Sequence, residues 1–468
     1  MTKLINRRSL LAGASAALAL PACLSSKKKM DADILVLGAG LAGLNTAKLL
    51  TEFGKDVLVL EAKRRAGGRL YTIEHENGYT EGGGEQVGAG YARILDLARQ
   101  LNVGLLPESR TPRTTGYVHQ GKWLSEEEFK SLSPFPESFK NSPPGAPLFQ
   151  IAARENIFET ADGWLTPPKG ADESVNSILS KYGFSAGAKD IIDRALNGND
   201  IETYSMLNVH RSLQLYTQSR QMGPSYSIEK GSQSLPEAMA KSLPRPIQYD
   251  SNISGIKVDE EAVEITLANG RIFRAAEAVC CLPFAALRRV NIVAPLSQVQ
   301  NQAIKSLPYT QILQFHFKAS SAFWEKDGLP VDMWSDTPLE RIFSNLDPDG
   351  NPTGLFRCWI NGKGTKHWAN QDANSAKAAF LEKLGEIRPS TKGSIEDVKI
   401  VDWTKNNPLA GGSYMHWAPG QVEKWAQTMG APAGRLHFAG EHLGVLHTGM
   451  EAAMESSENT ALRVMNGS

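Results

Sequence analysis

Cysteine is scarce, with four in 468 residues, which excludes a fold stapled by disulfides. Net charge is absent altogether. Lysine and arginine total 50, and aspartate and glutamate total 50. Nucleic-acid binders usually carry a basic excess, so the chain as a whole points to no nucleic-acid partner. The apolar run near the start, Leu10–Leu20, is about a dozen residues, too short for a mature membrane span of about 20. No histidine or cysteine cluster has metal-ligand spacing, and no Ser/His/Asp set or carboxylate pair stands out, so no metal site is assigned. What remains is an ordinary globular composition of 41% hydrophobic and 21% charged residues. That excludes disorder, collagen and coiled coil as descriptions of the whole. At roughly 100–200 residues per domain, the length suits two or three domains or one discontinuous pair. Glycine, at 42 residues, is above average, and part of the surplus falls in motifs.

The first 30 residues read as an address. Lys3, Arg7 and Arg8 form a basic start before the apolar run. The string Asn6-Arg7-Arg8-Ser9-Leu10-Leu11 matches a bacterial twin-arginine signal, which predicts export to the periplasm. Leu20-Pro21-Ala22-Cys23 allows two readings. It suits a lipoprotein box, with Cys23 carrying a membrane anchor, or ordinary cleavage near Ala22 with Cys23 incidental. Lys27-Lys28-Lys29 reads as a solvated spacer. The twin-arginine route carries folded proteins, so a cofactor would be loaded before export. The adjacent Cys280-Cys281 is no C-x-x-C motif and reads as small apolar packing.

Asp33–Leu37 is a short apolar run ending at Gly38-Ala39-Gly40-Leu41-Ala42-Gly43. A helical stretch to Phe53 follows, with Gly54 as its stop. Val57–Leu60 is a second buried strand ending in Glu61, which lies 23 residues past Gly38. This is the strand, glycine turn, helix, strand and acid of a dinucleotide site. Gly38 permits the turn, Gly40 lets backbone approach a pyrophosphate, and Gly43 lets helix and strand approach. The helix start offers free N–H groups to phosphate, and Glu61 suits a ribose hydroxyl. A second glycine pair then appears in Ala62-Lys63-Arg64-Arg65-Ala66-Gly67-Gly68-Arg69, with Arg69 supplying charge to the pyrophosphate. Further on come Glu81–Gly88 with Arg93, then His437-Phe438-Ala439-Gly440-Glu441, then Thr448-Gly449-Met450-Glu451. The Thr448/Glu451 spacing predicts a capping box and a helix from about Gly449 to Val464.

Together these segments resemble the flavin-containing amine oxidase family, which includes monoamine, polyamine and L-amino-acid oxidases and histone lysine demethylases. The resemblance runs from about residue 31 to the C-terminus and is strongest in Ile34–Thr72, Glu81–Arg93 and Leu436–Ala461. It implies an α/β (α+β overall) fold: a Rossmann-like FAD domain from residues 31–105, 227–295 and 405–468, and a substrate domain from 106–226 and 296–404. It further implies FAD contacts at Gly38, Gly40, Leu41, Ala42, Gly43, Glu61, Ala62, Arg65, Gly67, Gly68, Arg69, Gly84, Glu85, Gln86, Ile253, Gly440, Glu441, Gly449 and Met450. In the family the C-terminal helix points its N-terminus at the pyrimidine edge of the flavin, where its dipole stabilises negative charge. The implied reaction is amine oxidation: the carbon bearing nitrogen gives a hydride equivalent to flavin N5, and the imine hydrolyses. If the amine arrives neutral, no general base is required.

Three departures from the family pattern stand out. Tyr414 matches one aromatic wall of the amine cage, but the second wall falls at Gly449; the cage is open there or is completed by Trp403 or Trp417. Ser413 replaces the cysteine that attaches FAD covalently in some members, so non-covalent FAD is expected. Ile312 stands where many members carry a lysine that assists reaction with oxygen, so O2, a quinone or a cytochrome all remain as acceptors. Gln86 stands where an arginine for an amino-acid carboxylate would be sought. An amino-acid oxidase or desaturase on the same fold is the first alternative, and a non-catalytic flavin-binding accessory lipoprotein the second. His442 and His447 read as surface or cap residues more than catalytic ones. No motif specifies the amine or an oligomeric state.

Overall fold

A computed structural model describes residues 29–108, 113–347 and 349–467. The basic pair Arg7-Arg8 and Cys23 lie outside them. Two seven-stranded sheets organise the chain.

The first sheet follows from uninterrupted apolar runs. Strand β1 (Ala32–Leu37) and strand β2 (Val57–Leu60) are almost wholly buried, as strands of a parallel sheet covered on both faces must be. Helix α1 (Leu41–Glu52) connects them, and they pair in parallel, Val36 beside Val59. On its other side β1 pairs in parallel with Ile272–Cys280, which pairs in turn with Leu436–Phe438. The first half of Ile272–Cys280 also folds back on Val263–Leu267, antiparallel across the Asn269-Gly270 turn. The strands Ile253–Val258 and Asn291–Val293 complete the sheet. The C-terminal helix, Gly449–Asn466, lies on α1, where Asn45 donates to Ser457 Oγ at 2.8 Å.

The second sheet runs in the order 395–403, 312–319, 352–361, 341–346, 332–335, 115–119, 122–124. Its second strand, Ile312–Ala319, is buried on both faces up to Phe317. Phe315 stacks on Phe380 of helix Ala373–Ile387 on one side. On the other, His316 meets Thr80 of the Thr72–Glu81 hairpin at 2.8 Å. The Pro/Ser/Gly-rich stretch 134–147 holds a short turn at Glu137–Phe139. It buries Phe135 and Phe139 against Phe184; these aromatics override the Pro/Ser/Gly content around them. Among the described residues no helix is long and apolar enough to cross a membrane.

Candidate active site

A cavity of about 850 Å³ runs between the two sheets. One end is built on the β1–α1 turn. Gly38, Gly40, Leu41 and Ala42 line it, with the start of α1 at Gly40 and its N–H groups free of side-chain caps. Gly43 does not reach the cavity. Its role is close approach: a Cβ there would stand 1.9 Å from the Gly38 carbonyl oxygen. The second glycine loop docks on the first. Gly67 N–H donates to the Ala39 carbonyl at 2.8 Å, and a Cβ on Gly68 would come within 3.2 Å of the Gly40 Cα. Glu61 lines the cavity with Oε2 on the Ala39 N–H and Oε1 on the Lys63 N–H, both at 2.8 Å. A carboxylate has about four lone-pair sites, so capacity remains for a sugar hydroxyl. Ala62 and Ile253 line the same end. Burial, then the charge of Arg65, hold the Lys63 ammonium below its ordinary value.

Arg65 departs from its expected place. It does not line the cavity; its guanidinium donates to the carbonyls of Ala66, Gly68 and Leu70. The loop needs those carbonyls tied down to present its N–H groups, so Arg65 braces the cradle rather than touching the ligand. Arg69 does face the cavity. Its Nη1 donates to Glu441 Oε1 at 2.8 Å and to the Ser413 carbonyl at 2.9 Å, joining three distant segments. Gly440 and Glu441 line the wall beside it. Free N–H groups, glycine surfaces, an acid and a cation at this end fit an adenine dinucleotide.

The middle of the cavity is capped by the start of the C-terminal helix. Gly449 and Met450 line it, and Gly84, Glu85 and Gln86 face it from the opposite loop. The capping box expected from Thr448 and Glu451 does not form. Thr448 makes no side-chain cap bond. Glu451 instead accepts the backbone N–H groups of Arg93 and Ile94 at 3.0 and 3.2 Å, so it caps the neighbouring helix Ala92–Gln100. The competing donors are themselves unpaired helix-start groups, and a buried carboxylate satisfies two at once. The loop before the C-terminal helix is clamped from both sides. Arg211 donates to the carbonyls of Gly444, Val445 and His447, and Glu455 accepts from the N–H groups of Val445, Leu446 and His447. His442, expected at the surface or in a cap, is buried against Phe284 with both ring nitrogens unpartnered. Burial pushes it down to about 3.

Side chains of the second sheet and the helices make the far end. Tyr414 and Trp403 line it, and Trp403 Nε1 donates to the Gly82 carbonyl. Trp417 does not reach the cavity. It is buried in the core against Trp164 at 5.8 Å between ring centres, because its backbone is pinned to Asn208 and Ser205. The side chain standing over Gly449 is Tyr91, whose hydroxyl lies 3.9 Å from the place of a Cβ there. Burial pushes the Tyr91 phenol up to about 12 and raises Tyr414 as well. Cys281, read as packing only, also lines the cavity; burial raises its thiol and that of Cys280.

Residues 41–465 match the model of the flavin-containing amine oxidoreductase family. The chain belongs to that family. Flavin-containing amine oxidase B of Canis lupus familiaris is 24% identical over 93% of this chain and 86% of that protein. Amine oxidase A of Bos taurus is 24% identical over 94% and 87%. Cyclohexylamine oxidase from Brevibacterium oxydans superposes with a TM-score of 0.76 at 21% identity, covering 93% of this chain and 99% of that one. Putrescine oxidase bound to putrescine gives 0.75 at 19% identity, over the same shares of the two chains. These two structures establish the likeness of fold. The activity of this amine oxidoreductase is FAD-dependent oxidation of the C–N bond of a small-molecule amine.

Several cavity residues of this amine oxidoreductase carry no sequence motif. Tyr91, Asn197, Tyr204, Arg341, Phe343, Arg357 and Trp359 all line it. The last four sit as Arg-x-Phe and Arg-x-Trp on neighbouring strands, so a period-of-two reading could have placed each pair on one face.

Proposed function

We propose that the amine binds between Tyr414 and Tyr91, against the flavin, and that FAD is held without a covalent bond. The observation that carries this reading is the convergence of Tyr414, Tyr91 and the start of the C-terminal helix on the dinucleotide cradle within one cavity. When bound, FAD supplies the two-electron acceptor for the C–N bond, and water then hydrolyses the imine. The chain's own part is positional. Both phenols are held protonated, and among the described residues no histidine lines the cavity. No side chain at the amine wall is therefore poised as a base, and the amine must enter neutral. Positioning against the acceptor and exclusion of water carry the rate.

Ile312 supports a quinone or cytochrome as electron acceptor in place of direct transfer to O2. It is fully buried with Ile73, Val401 and Trp403, so position 312 itself supplies no ammonium to hold water; the Lys63 ammonium lies over the Trp403 ring, 5.7 Å from its centre. The Arg7-Arg8 string supports export through the twin-arginine route into the periplasm, and Cys23 supports a lipid anchor there.

Three measurements test these points. Acid precipitation should leave the yellow colour in the supernatant; colour in the pellet refutes non-covalent binding. Enzyme reduced without oxygen should reoxidise much faster with a soluble quinone than with air, and rapid reoxidation by air refutes the acceptor. The tagged full chain should fractionate with periplasmic membranes, and Cys23→Ala should release it; a cytoplasmic chain refutes export.

A further inference from the structure

One side-chain donor at the amine end is fixed in direction and has no partner. Its direction is set from the strand Pro352–Asn361 outward. The Trp359 indole can only donate, and its Nε1 does so to Asn361 Oδ1 at 2.6 Å. That turns the Asn361 amide so that Nδ2 donates to the Leu196 carbonyl at 2.7 Å and to Asn197 Oδ1 at 3.5 Å. Arg341, which also only donates, reaches the same Asn197 Oδ1 through Nη1 at 2.9 Å. Two donors therefore hold the oxygen of the Asn197 amide, and its Nδ2 must point elsewhere. Nδ2 makes no hydrogen bond among the described residues, on a residue that is exposed and lines the cavity.

The loop that carries it is held rigid. Asn197 follows the helix Ala186–Ala195. Two residues on, Asn199 donates from Nδ2 to the Tyr309 carbonyl at 3.1 Å and accepts the Gln311 N–H on Oδ1 at 2.9 Å. Its own carbonyl accepts the Lys363 N–H at 3.1 Å. Between them Gly198 lies flat against Tyr204, where a Cβ would stand 2.4 Å from the ring. The Asn197 carbonyl accepts the Tyr414 hydroxyl at 3.4 Å. The free N–H group thus stands beside the phenol tip of Tyr414 and is oriented before any ligand arrives, so little ordering is lost on binding.

The surroundings decide what it can hold. Leu148, Leu196, Phe343 and Trp359 make the nearby wall apolar. The charges there are committed or hidden. Arg357 pairs with Glu85 at 2.8 Å, and the unpartnered nitrogens of Arg341 and Arg357 are buried. An ammonium only donates, and Oδ1 of Asn197 is already taken. A carboxylate would lose its hydration for a single neutral amide. An uncharged oxygen matches one neutral N–H donor in an apolar wall.

Resting on the amine-oxidation reading above, we propose that Asn197 selects the substrate, a monoamine whose carbon body carries an uncharged oxygen, hydroxyl or ether, that accepts from Asn197 Nδ2 while the nitrogen lies at the Tyr414 wall. The direction of the same amide disfavours a diamine, whose second ammonium would meet N–H.

The test uses the FAD-loaded full chain, mixed without oxygen with matched pairs while flavin absorbance is followed. Pairs such as phenethylamine with tyramine, or butylamine with 4-aminobutanol, differ only by the oxygen. In at least one pair the oxygen-bearing member should reduce the flavin about 10-fold more efficiently. Asn197→Asp keeps an oxygen for Arg341 and Asn361 and the carbonyl for Tyr414, and replaces only the donor by an acceptor. It should abolish the preference, with the larger rise in KM falling on the oxygen-bearing member. Equal slowing of both members overturns the proposal. So does the lack of any preference for oxygen in the wild type, which leaves amine oxidation standing; reduction by neither member of any pair overturns both readings. If Asn197→Asp fails to load FAD, the oxidised wild type decides by difference spectra of its flavin. Cresol should perturb the spectrum at about 10-fold lower concentration than toluene; equal concentrations, or no perturbation by cresol, overturn the proposal.

Discussion

The two ends of the cavity are built by different means. The dinucleotide end is built around backbone, most of it from two glycine loops close in sequence, Gly38 to Gly43 and Glu61 to Arg69, with Ile253 and Glu441 added from farther along the chain. The amine end is made of side chains from segments hundreds of residues apart, such as Tyr91, Asn197, Arg341 and Tyr414. A backbone cradle tolerates one ligand shape and little substitution. A side-chain chamber can be refitted position by position without disturbing the sheet that carries it.

The largest expected effect breaks the first end alone. Gly43→Val drives a methyl-bearing carbon into the Gly38 carbonyl. It should cost more than about 3 kcal/mol and strip FAD from the protein, read by thermal melts and the flavin-to-protein ratio. Arg69→Ala probes the junction. It leaves Glu441 buried without its cation and frees the Ser413 carbonyl, at a cost of about 3 kcal/mol. If the ends are independent, FAD retention falls while the KM for substrate in the remaining holoenzyme stays put.

A smaller effect concerns pH. His442 titrates at about 3 in the folded protein, against 6.5 for the free side chain. Protonation therefore favours the unfolded chain, and the stability tied to its neutral form is lost as pH falls below 6.5. His442→Leu should remove this liability, so that between pH 7 and pH 5 the variant gains about 2 kcal/mol on the wild type. Melts at the two pH values check it; parallel curves would mean that His442 is protonated in the fold. The smallest effect is at the amine wall. Tyr414→Phe removes a single 3.4 Å bond to Asn197 and keeps the ring, so kcat/KM should fall by no more than about 5-fold, measured by anaerobic flavin reduction.

The same contrast explains what was legible in the sequence. The β1–α1–β2 unit, Glu61 and the second glycine pair were readable because their spacing is local and their geometry is set by backbone. Gly449 was readable as a gap in a wall, but not Tyr91 as the side chain over it, because that contact joins residues 358 apart. Trp417 was misplaced for a related reason: an aromatic near a motif is core or wall depending on which backbone bonds hold it. Arg65 and Glu451 had the right residue types at the right spacing, yet each found nearer partners, in loop carbonyls and in the neighbouring helix. Arg341 lay outside every motif because strand pairing with Pro352–Asn361, not a local pattern, brings it to the cavity wall.

The strand Ile272–Cys280 has a further consequence, in the timing of synthesis. It is flanked by β1 from the start of the fold and by Leu436–Phe438 from its end. At about 5–20 residues per second, a ribosome needs roughly 8–30 s to pass from Cys280 to Leu436. Through that interval the apolar edge of Ile272–Cys280 is open and the flavin pocket lacks its last wall, since Gly449 and Met450 have yet to be made. A complete flavin pocket thus waits on residues 436–466, which act as the clasp that closes it.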